Sequence, residues 1–120
     1  MCVYIYKLKK NGLGCTLVNQ KIYCYGGTSD QRPTSDHYML DLSQDFTLNT
    51  AINSWQSISS PDFVLEPNSL FSIISLNHSY LIHGGLGYGS SQQYKKNITV
   101  LFDTTNLSWT TIADNKTLPR

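Results

Sequence analysis

Apolar and polar positions alternate along this chain over short stretches, and no window sustains an apolar period of 3.6 residues. The pattern predicts strands and turns and no long helix. Val3 to Leu8 reads as a first strand, closed by a turn at Lys9-Lys10-Asn11-Gly12 because Asn-Gly tolerates positive φ. Gly14 to Val18 reads as a strand, Asn19-Gln20 as a tight turn, and Lys21 to Tyr25 as the next strand, which stops at Gly26-Gly27. Thr28 to Ser35 reads as a polar loop around Pro33. Asp36 to Leu42 is a strand with Tyr38, Leu40 and Leu42 on one side. After a longer polar connection, Ser54 to Ile58 is a short strand bearing Trp55.

A connection with Pro61 and Pro67 follows, and the order restarts. Leu70 to Leu76 reads as a strand, Asn77-His78 as a turn, and Ser79 to His83 as a strand closed by Gly84-Gly85. Leu86 to Lys96 is a glycine-, serine- and glutamine-rich loop. Ile98 to Asp103 is a strand, and after a turn Ser108 to Ile112 is another, bearing Trp109. The glycine pairs stand 58 residues apart (26 to 84) and the tryptophans 54 (55 to 109). Repeats near ~50 residues with four strands each point to propeller blades. An unrelated β-sandwich with coincident glycines is the alternative.

These residues resemble the kelch repeat, the blade unit of a β-propeller superfamily that includes the galactose oxidase central domain. Ile22 to Gly27, Tyr38 to Leu42 and Asn53-Ser54-Trp55 carry the first copy. Tyr80 to Gly85, Val100 to Asp103 and Leu107-Ser108-Trp109 carry the second. The structural motif is thus Gly26, Gly27, Asp41 and Trp55, repeated as Gly84, Gly85, Asp103 and Trp109. The resemblance implies an all-β fold of two four-stranded antiparallel blades, an incomplete propeller. Residues 14–59 form one blade and 68–113 the other, joined by a linker over 60–67. Residues 1–13 are a preceding strand or blade remnant, and 114–120 a tail or, from Leu118-Pro119-Arg120, the start of a further repeat. Closed propellers have ~4–8 blades. Two blades therefore leave open edges through which the chain could associate with copies of itself.

Composition narrows the function classes. Lys and Arg number 9 against 8 Asp and Glu, a net charge of +1, so there is no electrostatic case for nucleic acid or an anionic membrane. No apolar run is long enough for a membrane span or a signal-peptide core. As written the chain reads as cytoplasmic, and a longer parent could be secreted or cell-surface. Cys2, Cys15 and Cys24 form no C-x-x-C pair. Cys15 and Cys24 fall on neighbouring strands and could pair in an oxidising compartment, but free buried thiols are the expectation.

No catalytic, cofactor or metal constellation emerges. Gly84-Gly85-Leu86-Gly87-Tyr88-Gly89 fails the G-x-G-x-x-G pattern at Ser90, and no helix follows it. The superfamily raises copper with a Tyr–Cys radical cofactor, but Tyr23 and Cys24 are adjacent on a strand and point to opposite faces. His37, His78 and His83 lack ligand spacing. Sequons at Asn77, Asn97, Asn106 and Asn115 offer N-glycosylation acceptors. The loops after the glycine pairs supply contact residues for a protein partner, Asp30 and Arg32 in one and Tyr88, Tyr94 and Lys95 in the other. The expected function is a non-catalytic protein–protein interaction module of kelch type, with an unknown protein partner and no cofactor. The alternatives are a fragment of a galactose-oxidase-like enzyme whose active site lies in missing blades, and a truncated non-functional product.

Overall fold

A computed structural model describes residues 2–5, 8–29, 32–43, 47, 54–59, 68–85 and 98–114, and among them every regular element is a β-strand. The strands are β1 (Cys2–Ile5), β2 (Leu8–Asn11), β3 (Gly14–Val18), β4 (Lys21–Tyr25), β5 (Thr28–Ser29), β6 (Arg32–Pro33), β7 (His37–Asp41), β8 (Gln56–Ser57), β9 (Ser72–Ser75), β10 (Ser79–His83), β11 (Ile98–Asp103) and β12 (Ser108–Asp114).

Two four-stranded antiparallel sheets dominate, and they do not close into a barrel. The first has the order β3-β4-β7-β8 and the second β9-β10-β11-β12. Each β3–β4 pair has its copy in β9–β10 at an offset of 58: Leu17 opposes Ile22 as Ser75 opposes Tyr80, and Cys15 opposes Cys24 as Ile73 opposes Ile82. The next ladder matches as well. Ile22 opposes Leu40 as Tyr80 opposes Phe102, and Lys21 opposes Asp41 as Ser79 opposes Asp103. The sequence repeat is therefore a repeat of register, pair by pair.

The turns follow from local chemistry. Asn19 and Gln20 have φ of 51° and 64°, the doubly left-handed turn that suits the twist of a two-residue hairpin. The repeated aspartates cap the turns that leave their strands. Asp41 Oδ1 accepts from the Ser43 amide at 2.8 Å, and Asp103 Oδ1 accepts from the Thr105 amide at 2.8 Å. The Asp41 carboxyl is held below its usual range by the Ser43 hydroxyl and then by the Ser43 amide.

Three expectations are corrected. The N-terminal strand is a hairpin, with β1 pairing β2 from Cys2 opposite Asn11 to Ile5 opposite Leu8. Lys9 and Lys10 lie within β2, not in a turn. Asn11-Gly12 joins two different sheets, and the side chain of Leu70 packs over Gly12. The span from Thr28 to Ser35 is not a plain loop: β5 and β6 pair there, and Asn11 opposite Thr28 adds them to β2 as a third small sheet, β1-β2-β5-β6. Finally, Cys15 and Cys24 form a disulfide. The register places them directly opposite, with Cα atoms 4.1 Å apart, within reach of a bridge.

The core is the seam between the two sheets. Tyr23, Tyr25 and Val18 of the first sheet meet Tyr80, Ile82, Val100, Phe102 and Trp109 of the second. Strand alternation fixes this. Tyr23 and Tyr25 face the seam, whereas Cys24 faces away and forms the disulfide, as the separation of Tyr23 from Cys24 requires.

Candidate functional site: the seam and the glycine corner

Among the described residues seven rings pack at the seam, Phe71 joining it 5.9 Å from Tyr25. The Trp109 ring lies 5.5 Å from Tyr25, 5.2 Å from His37, 5.9 Å from Tyr80 and 4.9 Å from Phe102, and Tyr23 lies 5.6 Å from Tyr80. Tilted and edge-on contacts at these separations suit the ring quadrupoles. His37 is the polar member. It is buried, and its Nε2 hydrogen-bonds the Tyr80 hydroxyl across the seam. Burial disfavours the imidazolium and lowers its pKa to about 3. Burial likewise raises Tyr23, Tyr25 and Tyr80 above the usual phenol range. At ordinary pH the seam therefore holds a neutral imidazole among protonated phenols.

The four glycines of the repeat meet at one residue that sequence reasoning overlooked, Asn68. Its carbonyl accepts from the Gly27 amide at 2.8 Å, and its own amide donates to the Thr34 carbonyl at 3.1 Å. Its side-chain Nδ2 donates to the Gly84 carbonyl at 2.8 Å, and its Oδ1 accepts from the Ser69 amide at 2.9 Å. A Cβ on Gly26 would strike the Asn68 carbonyl, and one on Gly85 would strike the Asn68 side chain. Gly85 also holds φ at +102°, outside the range of ordinary side chains. The glycines thus leave space for a polar latch between the two sheets.

The remaining site residues separate. Asp41 and Asp103 lie at the opposite end of their strands, at turns. Trp109 is buried at the seam, but Trp55 is only half-buried. Asn77 and Asn106 are exposed in turns, and Asn97 and Asn115 lie outside the described residues. Arg32 belongs to β6, while Asp30, Tyr88, Tyr94 and Lys95 lie outside the described residues. Among the described residues no group of His, Cys, Asp and Glu could hold a metal ion. Asn68 gave no signal because its counterpart at the repeat offset is Lys10, so nothing recurs there.

No curated protein matches the chain. Residues 9–61 match the family model described as the kelch motif, and this span contains the whole first sheet from Gly14 to Ser57. The second sheet repeats the register of the matched one, and the described residues are all-β, consistent with kelch blades.

Proposed function

We propose that the chain is a non-catalytic protein-interaction module of kelch type. One observation carries this reading: the glycine pairs of both sheets converge on Asn68, so the segments leaving them start from a single braced corner. Segments held on a rigid scaffold are suited to recognition. In sequence these segments carry Asp30, Arg32, Tyr88, Tyr94 and Lys95, charged and aromatic groups suited to a partner contact. The seam adds no acid, base or nucleophile poised for turnover. The Cys15–Cys24 disulfide and the exposed sequons at Asn77 and Asn106 favour an oxidising compartment for the protein.

The test is differential capture with photo-cross-linking. The chain is compared with a version in which residues 86–96 are replaced by a Gly-Ser spacer of equal length. A protein cross-linked by the first and lost from the second supports the reading. Equal cross-linking by both overturns it.

A further inference from the structure

The matched registers make the two sheets interchangeable in position, which identifies what their outer faces are built to meet. Within the chain, the face of the first sheet that bears Tyr23, Tyr25, His37 and Met39 packs on the face of the second that bears Tyr80, Ile82, Val100, Phe102 and Trp109. On the second sheet the equivalent of the first sheet's seam face is its opposite face, which bears Leu81, His83, Thr99 and Leu101, because Leu81 opposes Leu101 as Tyr23 opposes Met39, and His83 opposes Thr99 as Tyr25 opposes His37. This face points away from the first sheet. Ile74, paired with Leu81, extends its apolar row and is 58% exposed. The first sheet presents the complementary outer face. Ile22, Cys24, Tyr38 and Leu40 are the counterparts of Tyr80, Ile82, Val100 and Phe102. The register of Tyr38 with Ser57 and Met39 with Gln56, carried one step further, sets Trp55 opposite Leu40, as Trp109 stands opposite Phe102. Leu40 and Cys24 are buried within the chain itself, whereas Ile22, Tyr38 and Trp55 are half-exposed.

We infer that a second copy of this chain docks head to tail, its first sheet covering the outer face of the second sheet in the geometry of the internal seam. Leu81 of one copy meets Ile22 of the next, as Tyr23 meets Tyr80 at 5.6 Å. His83 meets Trp55, as Tyr25 meets Trp109 at 5.5 Å. The interface joins two different faces, so it closes only as a ring. The inference rests on the sheet faces and not on the loop reading above, so either can fail alone.

The experiment uses the full chain, Leu81→Arg, which blocks one face, and Ile22→Arg, which blocks the other. Light scattering after size exclusion reads the mass over a dilution series. Circular dichroism confirms the fold of each variant. If either is unfolded, Ile74→Arg and Leu17→Arg take their places, since Leu17 and Ile74 are 56% and 58% exposed and share the same rows. The expected result is a multiple of the chain mass for the natural sequence and a single chain for each variant. An equal mixture of the two variants forms a heterodimer through the one interface that stays intact. A natural chain that remains single at every concentration overturns the inference. So does a mixture that remains single while the natural chain assembles, because that outcome requires a symmetric interface.

Discussion

His37 shows how one residue can tie the seam to solution conditions. Its folded pKa is about 3 against an ordinary 6.5. Between those values the unfolded chain binds a proton that the native chain excludes. Stability from this group is therefore complete above about pH 6.5 and is lost as pH falls toward about 3. Acidifying from about pH 7 to about pH 4.5 should cost roughly 2–3 kcal/mol through His37. Urea melts at both pH values should show this loss, and His37→Phe should flatten it. An equal loss in the variant would remove His37 as the cause. Asn68 makes a second prediction at this scale. Asn68→Ala strands the buried Ser69 amide, at roughly 1–3 kcal/mol, and the part-buried Gly84 carbonyl, at less. Gly85→Ala should cost about 1–3 kcal/mol from its backbone conformation alone. Chemical denaturation measures both.

The strands themselves were largely legible, because period-two alternation and paired glycines are local signals. The first sheet and its copy were visible from Ile22 to Gly27 and from Tyr80 to Gly85. The N-terminal hairpin was not. Asn11-Gly12 is a strong turn signal, but a turn signal says nothing of which sheet receives each arm, and here the arms enter different sheets. The disulfide was misread for a related reason. Composition argued for free thiols, whereas pairing depends on register, and the turn at Asn19-Gln20 sets Cys15 directly opposite Cys24. Of the site, the glycines were legible and Asn68 was not, since a latch between repeats leaves no repeated trace. At the scale of this hairpin, a non-reduced digest should yield the Cys15 and Cys24 peptides joined. Replacing both cysteines by alanine should cost about 2–3 kcal/mol, read as a lower urea midpoint. Separate peptides before reduction would refute the pairing.

Across the whole molecule the two tryptophans occupy equivalent positions with unequal burial. Trp109 is 7% exposed in the seam, while Trp55 is half-buried on an outer face. Trp109→Ala should therefore cost ~3–5 kcal/mol, and Trp55→Ala well under half of that in the isolated chain. Equal losses would mean that Trp55 already has a full complement of neighbours. The same asymmetry separates what holds a chain together from what joins chains. The seam is filled by rings and a buried hydrogen bond between His37 and Tyr80, whereas the outer face of the second sheet is aliphatic, with Ile74, Leu81 and Leu101.

Stacked repeats ordinarily contact only their neighbours, so one unit can fray while the next stays folded. Asn68 removes that independence here. It stands between the glycine pairs of both sheets, bonding Gly27 through its carbonyl and Gly84 through its side chain, so the two corners are tied through one residue. The two sheets are therefore expected to melt in one transition, which coincident denaturation curves for Trp55 and Trp109 fluorescence would show.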